Sequence, residues 1–254
     1  MNAAARLRWR LDPASLFKDV VGEPDQWQAN ALRSSSKRQI YLTSRQAGKS
    51  STAAAKALHK AIMEPGSLTL LLSPSLHQSQ EIFKKFQAYY RKLRQPCGIR
   101  SESALRMELG NGSRVLSLPG SSQTIVGYTA DLLVIDEAAR TPPELLEAAL
   151  PMVAVSGGTV IPLSTPAGAR GWFYELWTGG DPTWERFEVM ATECPRITSE
   201  HIEEARNMRG SRHVQQEYFC SFEANEEAFF RPEDLARALT LKDLDAEPLF
   251  PEAC

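Results

Sequence analysis

Only four cysteines occur in 254 residues, Cys97, Cys194, Cys220 and Cys254, and no two of them form a C-x-x-C pair. Such a scatter suits reduced thiols and offers no zinc spacing. No apolar run approaches the ~20 residues of a membrane span, and the basic start, Met1 to Arg10, lacks the apolar core of a signal peptide. An excess of either charge is missing as well. The 29 Lys and Arg against 31 Asp and Glu leave a net charge of −2, so a polyanion partner would meet a local patch and not a globally basic surface. Internal repeats and low-complexity tracts are absent. With 43% hydrophobic and 24% charged residues, the composition is that of an ordinary globular protein. The length suits one large α/β domain, or such a domain with a small appendage.

What is present centres on residues 39–50, Gln-Ile-Tyr-Leu-Thr-Ser-Arg-Gln-Ala-Gly-Lys-Ser. An apolar run enters a small-residue turn, and an Ala-rich helix is predicted over residues 51–63. Strand, turn and helix form the setting of a phosphate-binding loop, in which backbone N–H groups and the helix dipole face the anion. Lys49 would reach the terminal phosphates and the Ser50 hydroxyl would sit on Mg²⁺. The strict G-x-x-x-x-G-K-[ST] pattern fails at one place, because Thr43 stands where its first Gly belongs. A second stretch, residues 131–139 (Asp-Leu-Leu-Val-Ile-Asp-Glu-Ala-Ala), reads as a buried parallel strand that delivers Asp136 and Glu137 at its C-terminal end. Asp136 would hold Mg²⁺ through water and Glu137 would orient and deprotonate the attacking water. Together the two stretches indicate ATP hydrolysis.

The remaining chain supplies the frame. Residues 1–23 form an amphipathic lead-in whose Leu11, Leu16, Phe17, Val20 and Val21 can dock on the core. A turn and short helix follow at residues 23–32, where Gln28 (or Gln26) can read an adenine edge and Trp27 can face the core. Residues 68–72 are a strand, and Ser75 caps a helix over about 76–94 whose Lys84, Lys85, Arg91, Lys92 and Arg94 form a basic face open to DNA phosphates or to solvent. Residues 106–118 alternate on both sides of Asn111-Gly112, a hairpin signal. Thr141 is expected to cap a helix with Pro142 in its first turn and Glu144 completing a capping box. Residues 159–163 make the next strand, leading into Ser164-Thr165-Pro166, whose hydroxyls can sense a γ-phosphate; Pro162 within it predicts a bulge or a locally unpaired position. The aromatics Trp172, Phe173, Tyr174 and Trp177 are expected in the core, and residues 187–191 in one more strand. Residues 195–230 read as mostly helical, capped by Thr198-Ser199, with a last short helix over 232–239 and an acidic tail.

The order of these motifs, an amide–Trp–Gln stretch, Ser-Arg-Gln-Ala-Gly-Lys-Ser, Ile-Asp-Glu-Ala-Ala and then Ser-Thr-Pro, resembles the ATPase domain of the large terminase subunit of tailed bacteriophages. The resemblance runs from about Pro24 to Pro232. It implies a P-loop NTPase of the ASCE type, with a central, mostly parallel sheet flanked by helices and a small helical lid. Residues 1–194 would hold an N-terminal arm and the ATPase core, 195–240 the lid, and 241–254 a tail toward a nuclease domain that this chain does not contain. It also implies that Ser44, Arg45, Gln46, Ala47, Gly48, Lys49, Ser50, Ser51 and Thr165 line the ATP site with Gln28 on the adenine. Ser50 and Asp136 would hold Mg²⁺, and Glu137, Lys49, Arg45 and Arg140 would act in catalysis. Arg45 has its own physical case, since a guanidinium can pair bidentately with phosphate oxygens. Double-stranded DNA, a ring of copies on the portal of a procapsid, a small terminase subunit and the host cytoplasm complete the implied setting, with no membrane.

One departure concerns the arginine finger. Many relatives carry an Arg just before the Gly of the loop preceding the acidic strand, and here Val126 occupies that place in Thr124-Ile-Val-Gly127. Finger arginines contribute on the order of 10³–10⁵ in rate. Either Arg140, Arg114 or Arg170 takes the role, or the chain hydrolyses ATP poorly. The alternatives to a packaging motor are a helicase-like or repair ATPase and a nucleotide-gated scaffold with little turnover.

Overall fold

Residues 3–120, 125 and 127–223 are described by the structure, a computed structural model. The apolar stretches pair into one eight-stranded sheet: β1 (Gln39–Thr43), β2 (Leu68–Ser73), β3 (Ile99–Glu102), β4 (Arg106–Leu109), β5 (Arg114–Pro119), β6 (Leu132–Asp136), β7 (Thr159–Ser164) and β8 (Glu185–Val189), in the order β3-β4-β5-β2-β6-β7-β1-β8. From β5 to β8 all neighbours are parallel, and β4 runs antiparallel to both β3 and β5. The central strands β2, β6 and β1 are buried at every residue, which is why they read as unbroken apolar runs.

Side chains alternate between two cores. On one face, Tyr41, Leu71, Val134 and Ile161 pack against α1 (Ala3–Leu11), α2 (Pro13–Val20), α3 (Gln26–Arg33), α4 (Lys49–Met63) and α5 (Leu76–Lys92). On the other, Ile40, Leu42, Leu70, Leu133 and Ile135 meet α6 (Pro143–Ala154) and α7 (Trp172–Thr178). A third cluster joins α8 (Ser199–Arg209) and α9 (Ser211–Phe219) to Val189 at the end of β8 and to Ala47 of the phosphate loop. The fold is the expected α/β arrangement with a mostly parallel sheet.

Several local expectations hold. The Asn111-Gly112 turn joins β4 and β5, with Gly112 at φ 85 and Leu109 N–H on the Ser113 carbonyl at 2.8 Å. Ser75 caps α5 by accepting the N–H of Gln78, and Thr198 caps α8 by accepting that of His201. Trp172 and Phe173 are buried in the core. Pro162 causes no bulge but interrupts pairing: β7 keeps its register with β6 through Ile135↔Pro162, whereas toward β1 the bridge Arg38↔Val160 is followed by pairing only from Tyr41↔Leu163. The missing N–H of proline leaves the gap.

Others need correction. Helix α6 starts at Pro143 with Pro142 as its cap residue and no side-chain cap. Thr141 is diverted, because its hydroxyl donates to the Ala138 carbonyl and its own carbonyl accepts the Trp172 indole N–H at 3.1 Å. In the lead-in, Leu16, Phe17 and Val20 are buried as expected, but Leu11 and Val21 are exposed and Trp9 fills the place instead. The last strand lies at Glu185–Val189, two residues earlier than expected, and β3 was not foreseen. The basic face of α5 is largely spoken for: Lys84 pairs with Glu81, Arg91 with Glu102, and Lys92 donates to the Val20 carbonyl. The expected helix over 232–239, the tail and Val126 lie outside the described residues.

Candidate nucleotide site

The phosphate loop begins where β1 ends. Ser44 is buried and its N–H bonds the Val189 carbonyl at 2.8 Å, anchoring the loop to β8. Arg45 N–H bonds the Glu217 carbonyl of α9 at 2.6 Å. Gln46 then adopts a left-handed conformation (φ 63), Ala47 is buried, and Gly48 (φ 94) turns the chain into α4. Across this turn the N–H groups of Gln46, Gly48, Lys49 and Ser50 make no hydrogen bond among the described residues. They form, with the start of a 15-residue helix, a ready anion cradle. The Arg45 side chain is exposed and lines a pocket of about 230 Å³ with Gln46, His201, Met208 and Tyr218.

Beside the cradle, four adjacent strands end in a buried oxygen that has no protein partner among the described residues. These are Thr43 Oγ1 on β1, Ser73 Oγ on β2, Asp136 Oδ1 on β6 and Ser164 Oγ on β7, each the last residue of its strand. Buried polar atoms are rarely left unpaired, so such a row marks where a polar ligand or water belongs. Burial pushes the Asp136 carboxyl up to about 6; nearby Lys49 opposes that shift and Glu137 adds to it. A buried carboxylate with a spare oxygen beside the loop lysine suits Mg²⁺, which takes one or two protein oxygens and fills its sphere with phosphate and water.

Glu137 follows in the left-handed region (φ 51), a costly conformation for a residue with a side chain. The turn aims its carboxylate back at the loop. Its Oε1 lies 3.0 Å from Lys49 Nζ and its Oε2 accepts Arg140 Nη1 at 2.6 Å. The same Nη1 donates to Thr165 Oγ1 at 3.1 Å, and Nη2 donates to Glu217 Oε1 at 3.3 Å. Lys49, Glu137, Arg140 and Thr165, predicted from three separate stretches, are thus joined in one chain of direct contacts. Arg140 points at its own chain's Glu137. Arg114 begins β5, at the N-terminal end of the parallel strands and so opposite their C-terminal ends, and Arg170 is exposed between Thr165 and α7.

Gln28 is buried, and its amide is engaged within the protein: Oε1 accepts the Asp25 N–H at 2.9 Å and Nε2 donates to Thr52 Oγ1 at 3.2 Å. Ser51 lies in the first turn of α4, where Lys85 Nζ approaches its hydroxyl at 3.5 Å. Burial lowers the Lys85 pKa, with the nearby Asp136 carboxyl opposing, which places this lysine beside the strand-end carboxylate.

Three contributors escaped the sequence reading. Arg196 donates to both oxygens of Asp25 and to the Ala47 carbonyl at 3.3 Å, a clasp from the segment before α8 across the loop. Lys85 was legible only as one of several helix cations. Glu217 carried a faint signal, since a carboxylate on the apolar stripe of Val214 and Tyr218 needs a buried partner. A separate pocket of about 320 Å³ lined by Arg33, Lys37, Lys56, His59 and Lys60 lies by the N-terminal ends of β6 and β7. Its cations are mostly engaged, Arg33 by Asp12, Lys60 by Glu64 and Lys56 by the carbonyls of Ala31 and Ser34.

Residues 40–237 match the family described as terminase large subunit, T4-like-virus type, N-terminal. A terminase large subunit of Thermus phage G20c is 28% identical over 196 residues, 67% of this chain and 40% of the relative. The chain therefore spans well under half the length of that curated relative. The large terminase ATPase domain of Thermus phage P74-26 superposes with a TM-score of 0.72 at 26% identity, covering 84% of this chain and all of that one. A large terminase of another thermophilic bacteriophage, solved in complex with ADP, shares the fold at a TM-score of 0.68 and 15% identity, over 78% of this chain and 54% of that one.

Proposed function

This chain belongs to the terminase large-subunit family, and on that premise we propose that it is the Mg²⁺-dependent ATP-hydrolysing part of a motor that drives double-stranded DNA into viral procapsids. Residues 1–194 serve as nucleotide-binding core, and α8 and α9 belong to a helical lid over it. The observation that carries the reading is the buried Asp136 Oδ1 at the end of β6, without a hydrogen-bond partner among the described residues and beside the loop's Lys49. The thermophilic-phage terminase solved with ADP supports nucleotide as the ligand.

In the proposed site the N–H groups of Gln46, Gly48, Lys49 and Ser50 cradle the phosphates, and Ser44, Ala47 and Ser51 hold the loop in shape. Arg45 swings onto phosphate oxygens, and Gln28 supports the loop on the adenine side. Ser50 and Asp136 hold Mg²⁺, which when bound supplies charge neutralisation on the triphosphate. Phosphate oxygens compete with Glu137 for Lys49, since an ammonium makes charge-assisted hydrogen bonds to either anion. Glu137, once released, accepts a proton from the attacking water. Thr165, next to Ser164, reports the γ-phosphate to Arg140. DNA, a ring of copies on the portal and a small subunit are the partners of this motor, working in the host cytoplasm; among the described residues no helix is long and apolar enough to cross a membrane. Family membership disfavours the helicase-like and scaffold readings.

The test is binding of a fluorescent ATP analogue and Mg²⁺-dependent phosphate release for this chain and for Glu137→Gln. The variant should bind nucleotide within about threefold of the parent and lose about 10²-fold or more of its turnover. A parent chain that binds no nucleotide would sink the proposal.

A further inference from the structure

Glu217 sits on the buried stripe of α9 with only 7% of its surface exposed. A carboxylate there requires a cation. It meets Arg140, whose Nη2 donates to Glu217 Oε1 at 3.3 Å while Nη1 holds Glu137 Oε2 at 2.6 Å and Thr165 Oγ1 at 3.1 Å. The main chain of Glu217 is engaged as well, its carbonyl accepting the Arg45 N–H of the phosphate loop at 2.6 Å. One residue of the helical pair therefore touches the phosphate loop through its backbone and, through its side chain, the cation seated on the candidate base.

Resting on the ATPase reading above, we propose that Glu217 is a positioning residue that controls when Glu137 becomes free to act. Both oxygens of Glu137 are taken, Oε1 by Lys49 and Oε2 by Arg140. Each contact ties one Glu137 oxygen to a cation and so fixes where its remaining lone pairs can point. Phosphate oxygens compete for Lys49, but Arg140 needs a different competitor, and Glu217 is the second carboxylate on its guanidinium. The two carboxylates sit on different nitrogens of one guanidinium, Glu137 on Nη1 at 2.6 Å and Glu217 on Nη2 at 3.3 Å, so a displacement of α9 that draws Glu217 inward pulls the fork away from Glu137. The Arg45–Glu217 backbone bond makes that displacement follow the phosphate loop. Seating of the loop on its ligand and release of the base are thereby linked through one helix.

The experiment is a kinetic double-mutant cycle on the full chain with Glu217→Gln, Arg140→Lys and the pair, read as kcat, KM and affinity for a fluorescent ATP analogue. Glu217→Gln keeps the shape and removes the charge; Arg140→Lys keeps a cation and removes the fork. We expect Glu217→Gln to lower kcat about tenfold with nucleotide affinity within about twofold, and to lower it less than twofold in the Arg140→Lys background, because residues acting through one contact are not additive. Glu217→Asp should recover part of the loss. An equal fall in both backgrounds would show a role for α9 independent of Arg140 and overturn the proposal, as would no fall at all. Where turnover in the Arg140→Lys background is too low to read, the same cycle on the thermal midpoint decides: a double variant that loses less than the summed single losses supports the link, and strict additivity overturns it. A parent chain that binds no ATP overturns the ATPase reading together with the catalytic role of Glu217, whereas normal turnover without coupling overturns only the latter.

Discussion

Asp136 is poorly suited to folding and well suited to a ligand. Burial raises its pKa to about 6, so the folded chain holds this proton more tightly than the unfolded one. Protonation therefore favours the fold below the ordinary carboxylate range, and that advantage is lost as pH rises through about 6. Above it the buried charge costs on the order of 3 kcal/mol. Asp136→Asn, measured by thermal unfolding with chelator and without nucleotide, should raise the midpoint at pH 8, with the gain shrinking toward pH 5. The same variant should lose Mg²⁺-dependent turnover. A gain that does not vary with pH would mean the carboxyl is not the group responsible. The neighbouring Glu137 shows the same trade, held at φ 51 so that its carboxylate meets Lys49 and Arg140.

At the scale of elements, the phosphate loop is shaped from below by α3. Gly48 adopts φ 94, and a Cβ there would stand 2.6 Å from Gln28 Nε2, which is fixed by Thr52. Gly48→Ala should therefore cost about 1–3 kcal/mol in chemical denaturation and weaken nucleotide binding. Adding Gln28→Ala removes the clash but not the backbone strain, so the double variant should recover only part of the stability; full recovery would show that φ does not matter. The strand and helix that frame this loop were plain in the sequence, because a strand buried on both faces has no polar alternation and a helix after a Gly-Lys-Ser turn has an Ala-rich, buried face. The start of α6 was not, because what displaced Thr141 from its cap was a tryptophan 31 residues away.

For the whole molecule, the proposed ATPase activity raises the question of where transition-state charge is met. Arg140 is engaged with its own Glu137, Thr165 and Glu217, and Arg114 lies at the N-terminal end of the parallel strands, away from their C-terminal ends. A cation placed at position 126 by Val126→Arg should then raise the ATPase rate at least about tenfold, with a rate per chain that climbs with protein concentration, as expected if the finger acts between copies. Steady-state phosphate release across a concentration series, with and without duplex DNA, measures both. A rate unchanged by the substitution would return the finger role to a residue already present.

The sequence by itself determined which residues the candidate site is built from and the strands that carry them. Phosphate-loop lysine, strand-end carboxylates and the Asn-Gly hairpin are local patterns, readable because each depends on residues within a dozen positions of one another. Only the tertiary structure decided which side chains meet. The Arg196–Asp25 clasp spans 171 residues and the Arg140–Glu217 contact spans 77. Such pairs leave no periodicity in the chain, since they arise where the ends of parallel strands and the helices packed over them converge in space.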